Sequence, residues 1–539
     1  MLKKLTKAGC GLGELKMVTL ALTLAMPTLC FADDNASGSN FKFDGTLREE
    51  LSWNTKQWAD VPNYDTRGKM SMARTTLRLN GEWDATPDFS IVAKVMGAKE
   101  VKTGFLSHLE QMGANNYKDA GANGNIMSLY NDAEIRELYF DYKFNDEVKL
   151  RFGRQQMAWG ESDFFAANDM VTGFDYSWRS FLEPNNELLR KTNIMAKLNV
   201  DFPDVNGGIE MFVRPGWDRK KDIGNNIDIY GGRWSGQPYA GVDFRNIDPY
   251  NLNNSEGDYK KVTGGIRWNG TAQDFNYSAS YMKTFWQSPI LNANAALTLF
   301  GLPNVPSGAT TVGGSTTLGP AGEIIYPLVD VYGFTGSGYS NLADAVFSAE
   351  VAYIKDAPYQ VMLPIPTPIS QAVAPGFDGI MKKDIVSWMV HMDKNIDFVQ
   401  GLLGAEKPMF FSVQLFDKWI PSFKDSDNLI NGVGWGARTK QNSFLITGIF
   451  SLSYYNGRIK PEFVVGNDIT YGGGFYVPSV SVELSKSLRW KTEYDGFWSS
   501  KWRDGSQCGF PNAASCDSSG LFGVFHNRDQ LYTSLTYLF

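Results

Sequence analysis

The chain has 539 residues, of which 43% are hydrophobic, 14% aromatic and only 20% charged. That is too apolar for a disordered chain, and a net charge of −7 argues against nucleic acid as a partner. With 3 His and 4 Cys, a zinc site or a His-based catalytic centre has little to draw on, and no metal or cofactor is expected.

Residues 1–32 read as a secretory signal peptide. Lys3, Lys4, Lys7 and Lys16 precede an apolar run from Met17 to Leu29, and Cys30-Phe31-Ala32 supplies the small residues a signal peptidase needs. The run is too short for a comfortable membrane helix. Cys10 precedes it and Cys30 lacks a lipobox, so a lipoprotein anchor does not fit. Residues 33–539 are then read as a single domain.

After the leader no stretch reaches the roughly 18 apolar residues of a membrane helix. The pattern is instead one of alternation. From Phe41 to Trp53 the odd positions are apolar apart from Glu49, and the even ones (Lys42, Asp44, Thr46, Arg48, Glu50, Ser52) are polar. A period of two is a strand with one apolar and one polar face. It recurs at Ile194–Phe202, Phe444–Tyr454 and Leu488–Trp498. At roughly 3.4 Å per residue and a tilt near 45°, eleven residues rise about 26 Å, the height of an outer-membrane apolar band.

A soluble β-sandwich or propeller also alternates, but three features favour a barrel. Short turns such as Asn145–Glu147, Pro203–Gly207 and Ser485–Ser487 alternate with long connections at 98–132, 157–192, 216–260, 287–345 and 499–528. Trp53, Trp83, Trp268 and Trp498 stand at strand ends, as an interfacial girdle requires. The chain stops on Leu531, Thr533, Leu535, Tyr537 and Phe539, and Tyr537 and Phe539 resemble the assembly signal of outer-membrane barrels.

Strand centres fall near 47, 77, 93, 139, 152, 198, 211, 266, 280, 350, 388, 413, 449, 463, 480, 493 and 534. That count is odd, and bacterial barrels have even counts. The direction of Val346–Tyr353 disagrees when counted from the two termini, which places a missing strand within 287–345. Glu323–Phe334 is the candidate. The expectation is an all-β, transmembrane, antiparallel barrel of about 18 strands, with 16 as the alternative. The surplus of loop is of a size that plugs, constricts or gates a pore.

One segment stands out: Leu150-Arg151, Gly153-Arg154-Gln155 and Trp159-Gly160-Glu161-Ser162. It resembles a strand-and-loop motif of a proteobacterial outer-membrane family called domain of unknown function 1302. A weaker likeness runs over Glu350–Pro358 and the strand at Trp388. The resemblance implies a barrel encoded near inner-membrane exporters of the resistance-nodulation-division type and near periplasmic lipid-handling proteins. It therefore implies traffic in hydrophobic molecules.

Arg154, Gln155, Trp159 and Glu161 have two readings. They line a constriction as a polar cluster with an aromatic platform, or Arg154 and Glu161 pair to tie the loop to the wall. In either case Arg154–Phe165 is expected to bend into the lumen. Arg74, Arg78, Lys149 and Arg151 lie on neighbouring strands, either as a basic ladder for anionic groups or as members of crossing ion pairs. Acidic stretches at Asp222–Asp228, Asp243–Asp258 and Asp425–Asn428 lack the spacing of a calcium loop. His108, His391 and His526 are scattered, and no catalytic residue or enzymatic activity is expected. Cys508 and Cys516 read as a disulfide in an outer loop.

The sequence thus points to a Gram-negative outer-membrane channel or transporter for small hydrophobic or amphipathic molecules. The alternatives are a general diffusion porin and a structural barrel holding periplasmic or extracellular partners. Expected partners are outer-membrane lipid, lipopolysaccharide and the barrel assembly machinery, with an inner-membrane exporter and a periplasmic lipid-handling protein as further candidates.

Overall fold

The computed structural model describes residues 40–539, apart from 59–60, 62, 117–125, 163–164, 166, 184–185, 220–221, 227–231, 235–246, 249–260, 293–309, 313–314, 318–321, 362–379, 431–437, 501–521 and 523–524. The signal-peptide reading and Cys508 and Cys516 fall outside the described residues.

Alternation requires each strand to give one face to an apolar medium, and the chain satisfies this by closing a sheet on itself. Nine strands form the first half: β1 (Phe41–Asn54), β2 (Met70–Thr86), β3 (Phe89–Glu100), β4 (Asp132–Lys143), β5 (Val148–Gln155), β6 (Asn193–Phe202), β7 (Gly207–Arg214), β8 (Thr263–Ala272) and β9 (Phe275–Phe285). The second half is β10 (Leu328–Ser340), β11 (Ala345–Val361), β12 (Ile380–Ile396), β13 (Met409–Trp419), β14 (Leu445–Ser451), β15 (Ile459–Asp468), β16 (Gly473–Ser485), β17 (Leu488–Ser499) and β18 (Gln530–Leu538). Each pairs antiparallel with its neighbours in chain order, and β18 closes on β1, with Thr46 opposite Leu538 and Asn54 opposite Gln530. Closure pairs the first strand with the last, so the sheet has no free end strand. The count is 18, and the 16-strand alternative is set aside.

All seventeen expected strands are present. The missing one is β10, which begins five residues later than the candidate Glu323–Phe334. The stretch 287–345 is therefore not one long loop. It contains a complete wall strand, and Gly322–Ile325 pairs with Ile290–Asn292 outside the barrel wall. The reason β10 hides is physical. Its outward Tyr332 and Phe334 are about half exposed, but its inward Val329 and Val331 are buried under other chain, so both faces are apolar.

Short turns gather at one rim, as at 87–88, 144–147, 203–206, 273–274, 341–344 and 486–487. The opposite rim carries the long connections, with 469–472 as its one short turn. Among the described residues the longest helix is α1 (Gly104–Asn116), and none is long and apolar enough to cross a membrane. The hydrophobic core lies inside the ring, where connections from the long-loop rim pack against the inner wall. One cluster joins Trp159, Met170 and Val171 to Met195, Phe212, Met282 and Val331 of the wall. A second joins Phe105, Leu106 and Leu109 of α1 to Trp58, Tyr130 and Trp178. A third gathers Phe181, Trp234, Phe475, Phe497, Phe522 and Phe525.

Candidate functional site: a plug across the lumen

The connection 156–192 leaves β5 two residues after Gly153. That residue has φ +136°, and a Cβ there would overlap the Leu138 carbonyl and the backbone of Tyr139, so only glycine fits. Arg154 stays in the wall opposite Leu138 and Ile194, and only beyond Gln155 does the segment turn inward. Gln155 is buried, and its amide donates to the Met195 carbonyl at 3.0 Å.

Trp159 is fully buried. Its indole N–H donates to Glu210 on β7, Arg267 of β8 lies over its ring at 5.2 Å, and Phe212 meets it edge-on at 5.1 Å. It offers no open aromatic face and acts instead as a peg in the wall. Further on, the Glu161 and Asn168 backbone N–H groups both donate to the carboxylate of Glu350, which points inward from β11. Asn168 packs against Gly333 of β10, where a Cβ would collide with its side chain. Thr284 of β9 donates to the Met170 carbonyl at 3.1 Å.

The same connection then crosses to the far wall. Trp178 lies beneath the guanidinium groups of Arg48 and Arg74, at 5.7 and 4.7 Å. Arg179 pairs with Glu493 of β17 and covers the Tyr532 ring of β18 at 3.7 Å. Glu183 takes a two-pronged hydrogen bond from Arg48, at 3.3 and 3.1 Å. Phe181 packs on Phe475 at 4.9 Å. Glu187 answers both Arg78 and Lys94 at 3.3 Å. A single connection thus touches β16 to β18 and β1 to β3 on one side and β7 to β11 on the other. It is a plug.

The electrostatics follow from burial opposed by pairing. Burial alone would raise the Glu183 carboxyl, but Arg48 and Arg179 hold it below the usual carboxylate range. Arg78 and Lys94 do the same for Glu187. Asp222, in the connection after β7, is held down against its burial by hydrogen bonds from Arg154 and Arg219.

Arg154 pairs with Asp222 at 2.8 Å and donates to the Ile135 carbonyl at 2.9 Å. The expected Arg154–Glu161 pair is not formed. The cause is register: Arg154 lies opposite Leu138 and Ile194, on the side of the strand facing away from Glu161. The basic group is likewise divided among separate acids. Arg151 binds Asp141 through two bonds of 2.7 and 2.8 Å, Arg74 lies 3.8 Å from Glu100, and Lys149 lies 3.7 Å from Asp201. They form no continuous ladder. At the seam, Phe539 exchanges backbone hydrogen bonds with Gly45 at 2.8 and 3.1 Å, and its ring meets Phe43 and Tyr537.

Two cavities flank the plug. One of about 620 Å³ lies towards the short-turn rim, with Glu161 at its edge and Lys149, Asp201, Glu210 and Arg267 around it. The other, of about 270 Å³, lies beside Trp178 and reaches Arg154 and Asp222. Sequence reasoning missed Glu210, Arg267, Arg179 and Glu183. Each sits in a strand or loop with many other charges, and only the plug's path selects it. Glu350 had one signal, its place in the second stretch resembling the family.

A family model described as Protein of unknown function (DUF1302) matches residues 12–539. The chain belongs to this family. No curated protein matches it. Among solved structures it is similar to the Salmonella typhi OmpF complex with daunomycin, at 8% identity over 93% of this chain and 98% of that one, with a TM-score of 0.38. It is similar also to Acinetobacter baumannii OccAB3, at 12% identity over 93% and 99%, with a TM-score of 0.44. OmpT of Vibrio cholerae, as the loop L8 deletion mutant, is similar at 10% identity over 93% and 99%, with a TM-score of 0.31.

Proposed function

We propose that this member of the family is a gated channel or transporter of a Gram-negative outer membrane, passing small hydrophobic or amphipathic molecules. The observation that carries the reading is the plug. An 18-stranded ring is wide enough for an aqueous pore, and here its interior is crossed by a segment held through discrete polar contacts. Two of its latches, Trp159 on Glu210 and the Glu161 and Asn168 N–H groups on Glu350, can each be removed by one substitution, while apolar packing holds the rest of the segment. The strand height supports a bilayer setting. The buried aromatic clusters beside polar cavities suit an amphipathic cargo.

A general diffusion porin fits less well, because an open axis has no use for a buried plug. A purely structural barrel would need neither cavity. We assign no enzymatic role. An inner-membrane exporter and a periplasmic lipid-handling protein are the partners we propose at the short-turn rim.

Planar-bilayer recording of the full chain tests the reading. The intact protein should show low, gated conductance. Removal of 157–165 should raise single-channel conductance while leaving a heat-modifiable barrel. Unchanged conductance after that deletion would retire the gating role.

A further inference from the structure

The wall is uneven in height. β5 and β7 have 8 residues each, whereas β2, β11 and β12 have 17. At roughly 3.4 Å per residue and 45° tilt, eight residues rise about 19 Å, short of an apolar band of about 25 Å. The ladder between β4 and β5 stops at Leu138–Arg154, so the upper part of β4 has no strand beside it there. Between β6 and β7 it stops at Ala196–Val213.

Side chains replace the missing backbone partners. The Ile135 carbonyl on the open edge of β4 accepts from Arg154 at 2.9 Å. The Ile194 N–H on the open edge of β6 donates to Asp218 at 2.6 Å. The connection after β7 covers the notch. Its Trp217 stands edge-on against Phe152 at 6.5 Å, on the outward face, and is 68% exposed. Its Asp222 lies between Arg154 at 2.8 Å and Arg219 at 3.0 Å. Behind this cover lies the 270 Å³ cavity, bounded by Arg154, Glu134 and Asp222 at the wall and by Arg48, Arg74 and Trp178 inside. Outward Ile135 and Val213 frame the notch and are half exposed.

We propose that the notch over β5 to β7 is a lateral port that binds an amphiphile with an anionic head and an apolar tail, between the bilayer and the lumen. The proposal rests on the transport reading above. Asp222 occupies the position of the head. Moved aside with its connection, which carries Arg219 with it, it leaves the Arg154 guanidinium of the wall facing the opening, a planar fork that suits a carboxylate or phosphate. Ile135, Val213 and Trp217 supply an apolar frame for the tail. The bilayer-facing opening lets such a molecule enter without its tail crossing water.

The test uses the full chain in nanodiscs with two photoreactive probes, each carrying a diazirine in its tail: a long-chain carboxylate and phosphatidylglycerol. Peptide mapping should place the adducts of at least one probe at β4 residues 132–136 and at 213–217. The probe that labels identifies the source, a free amphiphile or a lipid. Asp222→Asn should raise that labelling by roughly fivefold or more, the lower end of a typical coupling between a gate and its ligand. Arg154→Gln should lower it, and Trp217→Glu, a change at an exposed position, should lower it in a barrel that remains heat-modifiable. Labelling spread evenly around the apolar belt, or unmoved by Asp222→Asn and Trp217→Glu, would overturn the port. If the 157–165 deletion opens a conductance while the notch takes no label, the channel stands and the port falls. If neither occurs, both fall.

Discussion

The indole N–H of Trp159 donates to Glu210, pinning the plug to the inner face of β7 with no aromatic surface left open. The motif's tryptophan is thus part of a lock. Removing it by Trp159→Ala should cost about 3–5 kcal/mol of plug docking, as for other buried aromatic truncations. Conductance in planar bilayers should rise, with heat-modifiability retained.

Glu350 accepts two backbone N–H groups from the plug, so its loss leaves both without a partner. Hydrogen bonds to a charged group contribute about 1.5–3 kcal/mol each. Glu350→Ala should therefore expose 156–192 to limited proteolysis in an otherwise folded barrel. Glu350→Gln keeps one acceptor oxygen and should give an intermediate rate. Equal rates for all three proteins would show that Glu350 does not hold the plug.

The plug carboxylates set its pH response. Glu183, Glu187 and Asp222 all sit below their ordinary values in the folded protein. Their contribution is fully present above the unfolded values, about 4.3 for Glu and 3.9 for Asp. It is lost as pH falls through the lower folded values. In the Glu350→Gln background, where that latch no longer titrates, conductance should stay steady from pH 7 to about pH 5 and rise further only below about pH 4. In that background, a rise centred near neutrality would contradict this assignment.

The seam depends on Phe539. Deleting it removes both backbone bonds to Gly45 and the ring packed over that glycine. The amount of heat-modifiable barrel recovered from outer membranes should fall sharply. Gly45→Val should do the same, since a side chain there meets the Phe539 ring. Normal recovery of both variants would show that closure does not need this contact.

Cys508 and Cys516 should be bonded in the exported protein. Thiol labelling of intact cells should require prior reduction, and labelling without reductant would show them free.

The sequence by itself determined the barrel and its strand directions. Outward residues must be apolar in lipid, and that demand is local, so alternation records it residue by residue. The parity of the count even located β10, although its own pattern was masked where the plug covers Val329 and Val331. Partnership was not legible. Arg154 and Glu161 are close in sequence, yet strand register sends Arg154 towards Asp222 and brings the Glu161 backbone to Glu350. The wall's charges looked like a ladder because the sequence lists cations by strand. Only the path of 156–192 across the lumen decides which acid each one meets. A contact between residues far apart in the chain depends on closure of the whole ring, and no short spacing records it.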